Sequence, residues 1–241
     1  MKTLILAGGR GKRMGEVYQD RNKCMIEVEG KPLIEYSLNC ASQTNVSEII
    51  IVVGYKAEEI TNTYGNKYNG KMIKYVIQPE QKGLVHAIEC AREAIGKEDF
   101  MLMLGDELMV KPKHSEMIKK YHDENLFALC GIVNVEDKNL IKKTYAVIQG
   151  GDNRIFRLIE KPSNPMNNIM GTGNCLFKNE IFSYIPQTSI NQKRGEKELP
   201  DLIQCAIDDG KIVRPFVVCD KYFNLNLKED IKDAKSFFAH F

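Results

Sequence analysis

Short apolar runs, each stopped by a glycine or a polar residue, constrain the fold of this chain more than any other feature. The runs in the first half of the sequence are Thr3–Ala7, Glu48–Val53, Met72–Ile77 and Phe100–Leu104. Runs of this length and apolarity predict strands that are buried on both faces of a sheet. The segments between them that have helical spacing are Lys31–Ser42, Lys56–Tyr64 and Val85–Ile95. This alternation predicts βαβ units and an α/β fold with helices on both faces of the sheet.

The second half of the chain has more irregular, hairpin-like spacing. We expect strands at Ala128–Val135, Ala146–Gln149, Arg154–Glu160, Met170–Phe177 and Ile212–Val218, and helices at Glu198–Asp208 and Lys228–Ala239. The sequence has no evident linker and no internal repeat. We therefore predict one domain over residues 1–241, with a nucleotide-binding half at 1–110 and an acceptor-binding half at 111–241.

Composition excludes several classes of protein. The 34 Lys and Arg residues nearly balance 32 Asp and Glu residues, which argues against a nucleic-acid partner. No apolar stretch approaches the roughly 20 residues that span a bilayer, so no membrane association is expected. Seven scattered cysteines without a Cys-x-x-Cys pair are typical of reduced thiols in a cytoplasmic protein.

A glycine-rich loop follows the first predicted strand, in the segment Leu6–Met14 with the sequence LAGGRGKRM. Its glycines allow a ligand to approach the backbone, and its basic side chains suit phosphates. A dinucleotide fingerprint requires Gly or Ala where Met14 stands, and a Walker loop requires Ser or Thr where Arg13 stands. An ordinary βα turn with solvated basic residues stays open on this segment alone.

Other polar residues also follow the apolar runs. Gln78 and Gly83 are suited to contact with a nucleotide base, and Asp106 to holding Mg²⁺, although an Asp after a strand is as often a helix cap. Lys23 alone is typical of a surface cation. His86, in the first turn of a predicted helix, is more typical of structural hydrogen bonding than of catalysis.

Several motifs together resemble the sugar-1-phosphate nucleotidylyltransferases. The motifs are Leu6–Met14, Lys23, Gly83–Ala87 (GLVHA), Leu104–Asp106 (LGD), Glu160–Pro162 (EKP), Gly171–Gly173 (GTG) and Arg194–Asp201 (RGEKELPD). The resemblance covers about Met1 to Ala234. It implies a Rossmann-like, mixed but mainly parallel sheet. It also implies a reaction in which an NTP and a sugar-1-phosphate give an NDP-sugar and pyrophosphate.

The resemblance also assigns roles to residues. The implied nucleotide-binding set is Leu6, Ala7, Gly8, Gly9, Gly11, Lys12, Arg13, Gln78 and Gly83. The implied catalytic residues are Arg13 on the β- and γ-phosphates, Lys23 between phosphates, and Asp106 on Mg²⁺ together with Asn224. The implied acceptor-binding set is Glu160, Lys161, Thr172 and Gly173, with Tyr145 and Arg194 nearby. Because the nucleophile is an anionic phosphate oxygen, we expect direct in-line attack on the α-phosphorus without a strong general base.

The sequence departs from the family pattern at several positions. Lys12 replaces the usual Thr, Asn224 replaces a second metal-binding Asp, and Glu107 follows Asp106 where thymidylyltransferases tend to have Asn. The chain ends soon after Phe237, so the tetramer contacts and product site of the longer thymidylyltransferases are not expected. A homodimer is a family-level expectation.

The substrate stays open at this stage. Leu84 after Gly83 resembles thymidylyl- and uridylyltransferases that act on glucose-1-phosphate. The segment Asn22–Tyr36 instead resembles the cytidylyltransferase branch, which includes enzymes for phosphocholine and phosphonates. We rank dTTP or UTP with a glucose-1-phosphate-like sugar first, and CTP with a sugar phosphate or small phosphorylated alcohol second. A non-catalytic nucleotide sensor and an NAD-dependent oxidoreductase are less favoured alternatives.

Overall fold

The computed structural model describes residues 1–11 and 21–238. The strands in these ranges are β1 (Lys2–Ala7), β2 (Glu27–Val28), β3 (Lys31–Pro32), β4 (Ile49–Val53), β5 (Lys67–Tyr68), β6 (Lys71–Ile77), β7 (Phe100–Leu104), β8 (Glu107–Val110), β9 (Ala128–Asn134), β10 (Tyr145–Gln149), β11 (Ile155–Glu160), β12 (Ile169–Phe177), β13 (Val213–Val217) and β14 (Lys221–Asn224). The helices are α1 (Leu33–Ser42), α2 (Ala57–Tyr64), α3 (Leu84–Cys90), α4 (Arg92–Ile95), α5 (His114–Asp123), α6 (Leu199–Asp208) and α7 (Lys228–Phe238). Short 3-10 turns lie at Lys23–Met25, Lys138–Lys143 and Asn179–Tyr184.

One large mixed sheet forms the centre of the molecule. Its strand order is β11-β10-β12-β7-β1-β4-β6-β5, and β9 pairs with β12 and β13. β1 is parallel to β4 and β7, and β4 is parallel to β6. β12 is antiparallel to β7, so this strand joins the second half of the chain to the parallel part of the sheet. The predicted α/β class with a mixed, mainly parallel sheet is confirmed.

The hydrophobic core lies on both faces of the sheet, as the continuously apolar strands predict. Alternate residues of β1 point to opposite faces, with Leu4 and Leu6 in one cluster and Ile5 and Ala7 in the other. A smaller third cluster packs α7 against the strands β2 and β8 through residues such as Leu108 and Ile231. Burial on both faces explains why β1, β4 and β7 show no alternation of polar residues.

Most predicted elements lie within about two residues of the observed ones. The single helix predicted at Val85–Ile95 is wrong: α3 ends at Cys90 and α4 begins at Arg92, because the amide of Ala91 bonds the carbonyl of Ile88 in a tighter turn. The helix predicted to reach Ala239 is described only to Phe238, and Ala239 lies outside the described residues.

The sequence pattern does not predict three elements of the fold, which are β8, β14 and α5. The short strands β8 and β14 form a separate antiparallel pair, and α5 follows β8. β14 is too short to show a periodic pattern of apolar residues, and its pairing with a strand more than 100 residues away is a tertiary contact.

Within the described ranges, no helix combines the length and the apolarity needed to cross a bilayer.

We predict that Phe100→Ala destabilises the protein by about 3–5 kcal/mol. The Phe100 ring is fully buried and lies 5.5 Å from the Phe177 ring and 5.4 Å from the Phe182 ring, so its loss leaves a cavity between β7, β12 and the Asn179–Tyr184 turn. Urea unfolding followed by circular dichroism measures the change. Phe156→Ala is the control, because Phe156 is 56% exposed and its loss is expected to cost less than about 1 kcal/mol. Equal effects of the two substitutions would contradict the assigned core.

Candidate functional site

A cleft of about 540 Å³ lies at the carboxyl ends of the parallel strands. This is the edge of an open α/β sheet where ligands bind. The predicted site residues that line the cleft are Leu6, Gly8, Gly9, Gly11, Lys23, Gln78, Gly83, Asp106, Tyr145, Glu160, Lys161, Thr172, Gly173, Arg194 and Asn224. Residues that are far apart in the sequence therefore meet in one cavity. Lys12 and Arg13 lie outside the described residues, and their predicted roles stay predictions.

Asn22 holds Lys23 in the cleft. The Asn22 side chain is fully buried, and its Nδ2 donates to the carbonyl of Ala7 at 3.1 Å and to that of Tyr55 at 2.8 Å. Its Oδ1 accepts from the amide of Cys24 at 2.8 Å and caps the short turn that carries Lys23. Asn22 therefore ties this turn to the ends of β1 and β4, which explains why Lys23 is only 8% exposed.

Lys23 and Asp106 form the charged centre of the cleft. The Lys23 ammonium donates a short hydrogen bond to Asp106 Oδ2 and a second bond to Asn226 Oδ1 at 2.9 Å. Asn226 Nδ2 in turn donates to Asn224 Oδ1 at 2.6 Å. The amide of Leu225 bonds the carbonyl of Asp106 at 3.3 Å and fixes the two segments together.

These oxygen atoms fit the requirements of Mg²⁺. The oxygens of Asp106 and Asn226 already converge on one cation, the Lys23 ammonium. Mg²⁺ prefers oxygen ligands and is commonly held by one or two carboxylates together with substrate phosphates. The described residues contain no cluster of three or more His, Cys, Asp and Glu side chains placed for a metal. A magnesium ion here would therefore use Asp106, amide oxygens of Asn224 or Asn226, and the substrate itself.

The end of the cleft where the nucleotide base is predicted to bind contains Gln78 and Gly83. Gln78 follows β6 and is 6% exposed. Gly83 has a φ of +89°, a conformation that L side chains rarely adopt. A Cβ atom at Gly83 would also lie 2.7 Å from the Cβ of Glu196. The loop that carries Glu196 thus reaches this end of the cleft from the second half of the chain, and only glycine permits this close approach.

Glu107 is buried beneath the end of the cleft where the acceptor is predicted to bind. Its Oε1 accepts from the amide of Gly173 at 2.9 Å and from the Tyr222 hydroxyl, and its Oε2 accepts from Asn174 Nδ2 at 2.6 Å. Burial raises the pKa of Glu107 to about 8, against the lowering effect of the Tyr222 hydrogen bond. Asn174 Oδ1 also pairs with His114 Nε2 at 2.8 Å. This network links β8, β12, α5 and β14 under the cleft.

Charged side chains at the rim of the predicted acceptor end are paired with one another. Glu160 Oε1 lies 2.8 Å from Lys161 Nζ and 3.0 Å from Arg194 Nη1. Arg194 also contacts the carboxylates of Glu196 and Glu198. Burial raises the pKa of Glu198 to about 7, and the negative charge of Glu160 raises it further. Arg194 is therefore held by three carboxylates. An anionic ligand that binds Arg194 would have to replace one of them or bind beside them.

Two residues that are predicted to bind the acceptor substrate use their hydroxyl groups in hydrogen bonds within the protein. Tyr145 OH donates to the carbonyl of Thr172 at 2.8 Å, and Thr172 Oγ1 donates to the carbonyl of Gly131 at 2.9 Å. Both side chains are buried. They line the cleft, but these bonds shape the β10–β12 wall rather than leave a hydroxyl free for a ligand.

The sequence pattern assigns no role to several residues that organise the cleft, although Glu196 and Glu198 lie in the Arg194–Asp201 motif. The residues without an assigned role are Asn22, Asn174, Glu196, Glu198, Tyr222 and Asn226. Asn22 carried a usable signal, because Asn before a short turn is a typical cap. Asn174, Tyr222 and Asn226 act through contacts between distant segments, for which the spacing along the chain gives no signal. Glu196 and Glu198 pair with Arg194 within their own segment.

Comparison with known proteins agrees with this geometry. A family model described as nucleotidyl transferase matches residues 2–236. The chain belongs to the nucleotidyl transferase family. The predicted family resemblance and the enzyme class are therefore confirmed for this nucleotidyl transferase.

The relatives of this nucleotidyl transferase cover nearly all of its length. It is 31% identical to a UTP–glucose-1-phosphate uridylyltransferase of Haloferax volcanii, over 98% of this chain and 95% of the relative. It is 28% identical to a glucose-1-phosphate thymidylyltransferase of Streptomyces griseus, over 90% of this chain and 60% of the relative. A UDP-glucose pyrophosphorylase solved with UDP-glucose superposes with a TM-score of 0.89 at 21% identity, over 99% of this chain and 98% of the other. The last likeness concerns the fold.

We predict that Glu107→Gln changes how stability depends on pH. The pKa of Glu107 lies at about 8 in the folded protein, above the ordinary value of 4.5. Between these values the folded state holds a proton that the unfolded state releases, so the free energy of unfolding falls as pH rises through this window. Gln cannot titrate, and the variant therefore lacks this part of the decline. Unfolding in urea at several pH values from about 5 to about 9 measures it.

The matched control is Glu93→Gln, because Glu93 is exposed. This variant is expected to follow the pH profile of the wild type. Parallel profiles for wild type and Glu107→Gln would show that Glu107 does not retain a proton on folding.

Proposed function

We propose that this nucleotidyl transferase joins UTP or dTTP to glucose-1-phosphate or a similar hexose-1-phosphate. The products are the nucleotide sugar and pyrophosphate. An oxygen of the acceptor phosphate attacks the α-phosphorus of the nucleotide, and the bond from that phosphorus to the pyrophosphate oxygen breaks. Pyrophosphate leaves with the electron pair of the broken bond, so no oxidant or covalent enzyme intermediate is needed.

The position of Lys23 and Asp106 carries this proposal. They lie in the same cleft as Gln78 and Gly83, which we assign to the base end, and as Glu160 and Lys161, which we assign to the acceptor end. A nucleotide with its base at Gln78 and a sugar phosphate at Lys161 would bring their phosphates to this central ion pair. The arrangement supports transfer between two bound substrates rather than binding of a single nucleotide.

The chemistry requires charge neutralisation more than proton transfer. Both substrates are polyanions, and their approach is opposed by electrostatic repulsion that positioned cations relieve. The described residues provide Lys23, Lys161 and Arg194 along the cleft. Arg13 is proposed to contact the β- and γ-phosphates. A magnesium ion bound at Asp106 would neutralise phosphate charge and hold the phosphate oxygens in place.

The choice of substrates rests on the relatives. The Haloferax relative is named for UTP and glucose-1-phosphate, and the Streptomyces relative for the thymidylyl counterpart. The leucine at position 84, which resembles thymidylyl- and uridylyltransferases, also favours UTP and dTTP. The Glu160 carboxylate at the acceptor end suits hydrogen bonds from the hydroxyl groups of a sugar.

The proposal is tested by a matrix of nucleotides against acceptors, with pyrophosphate release as the readout. UTP, dTTP, CTP, ATP and GTP are each combined with glucose-1-phosphate, N-acetylglucosamine-1-phosphate, phosphocholine and a phosphonate in the presence of Mg²⁺. We expect the highest kcat/KM with UTP or dTTP and glucose-1-phosphate. A maximum with CTP and phosphocholine would replace this substrate assignment, and nucleotide binding without turnover for every pair would indicate a sensor.

We predict that Lys23→Ala and Asp106→Ala each lower kcat about a hundredfold or more, because each removes a charge placed at the reacting phosphates. Steady-state rates with saturating substrates measure the loss, and circular dichroism checks the fold. Lys74→Ala is the control, since Lys74 is exposed on β6 and outside the cleft. Wild-type kcat in either cleft variant would remove that residue from the mechanism.

A further inference from the structure

The amide of Gln78 is held by two acceptors at once. Its Nε2 lies 3.1 Å from the carbonyl oxygen of Gly83 and 3.1 Å from Nδ1 of His86. A primary amide nitrogen carries two hydrogens, so these contacts use both of them. Gln78 is 6% exposed, which leaves its side chain little freedom to find other partners.

These contacts fix which way the amide points. A carbonyl oxygen can only accept, so Gln78 must turn its nitrogen towards Gly83. His86 then accepts at Nδ1 and carries its proton on Nε2, which lies 3.7 Å from Sγ of Cys90 one helical turn away. An amide turned by 180° would place Oε1 against the Gly83 carbonyl oxygen, which is repulsive.

The fixed orientation leaves the amide oxygen facing the cleft. A Cβ atom at Gly8 would lie 2.9 Å from Gln78 Oε1, so this oxygen stands directly over the glycine loop. Among the described residues, no hydrogen bond reaches Oε1. The base end of the cleft thus presents an acceptor, rather than a donor, to whatever base binds there.

His86 adds a second hydrogen bond to the nitrogen end of the amide, beside that of Gly83. The Gly83 carbonyl is shared, because it also accepts from the amide of Ala87 at 3.3 Å. His86 lies on α3, whose Val85, Ala87 and Ile88 are buried. The imidazole is therefore a partner on a packed helix, whereas Gly83 belongs to the loop before it.

We propose that His86 is a positioning residue that sets the choice of base. It holds Gln78 with Oε1 in the cleft, and this acceptor matches the N3–H donor of uracil or thymine. Cytosine presents an acceptor at N3, so it meets Oε1 unfavourably in the same pose. The proposal rests on the nucleotide function proposed above and adds the residue that selects UTP and dTTP over CTP.

Two variants of equal shape test the proposal. His86→Leu and His86→Asn have the same branching, but only Asn places an acceptor oxygen where Nδ1 stands. We expect the ratio of kcat/KM for UTP to that for CTP to fall roughly five- to tenfold in His86→Leu, the size of one lost hydrogen bond. In His86→Asn the ratio should stay within about twofold of wild type.

A purely structural role for His86 predicts a different pattern. It would lower the rates with UTP and CTP equally, and it would leave the ratio unchanged in His86→Leu. Three results would each overturn the proposal. They are an unchanged ratio in His86→Leu, an equal fall of the ratio in His86→Leu and His86→Asn, and a wild type that prefers CTP. His86→Gln moves the acceptor one bond further from the backbone and should lower the ratio as well, which provides a second test if His86→Leu fails to fold.

Failure of the proposed function is distinguishable from failure of this inference. If the wild type turns over no nucleotide, the proposed function fails, and the ratio of dissociation constants for UTP and CTP replaces the kinetic ratio in the same variants. A shift of the binding ratio in His86→Leu, with rescue in His86→Asn, supports the positioning role. An unshifted binding ratio overturns it.

Discussion

The parallel pairing of β1 with β4 and β7 is the constraint on which the cleft depends. It brings the carboxyl ends of these strands to one edge, where their loops must lie side by side. Asn22 then fastens the Lys23 turn to the end of β1, and Asp106 follows the end of β7. The meeting of this lysine and this carboxylate is thus a consequence of strand order, since the two residues are separated by 83 positions in the sequence.

The charged side chains of the cleft form ion pairs with one another. Lys23 is paired with Asp106, and Arg194 with three carboxylates. A half-buried charge without a partner is costly, so these pairs stabilise the cleft when it contains no ligand. In the proposed function, substrate phosphates would replace these carboxylates on the cations, because they offer the same kind of acceptor with more charge. On that proposal the same groups serve both stability and binding.

The cleft wall around Gln78 and Asp106 could largely be predicted from the sequence, and the wall around Tyr145 and Thr172 less so. Gln78 and Asp106 follow apolar strands of the parallel part of the sheet, so the rule for parallel sheets places them at one edge. On the other wall, the hydroxyls of Tyr145 and Thr172 bond backbone carbonyls. The support comes from Glu107 and Asn174, whose contact joins strands 67 residues apart. No local pattern marks such a contact.

The sequence by itself determined the layered fold, the edge that carries the site and the family, because apolar periodicity and glycine-rich loops are local properties of the chain. Only the tertiary structure decided the state of individual polar groups: the raised pKa of the buried Glu107, the pairing of Arg194 with Glu160 and the orientation of the Gln78 amide. Each of these depends on the distance to groups from other segments. Hydrogen bonding and desolvation act over a few ångströms in space, and separation along the chain does not fix that distance.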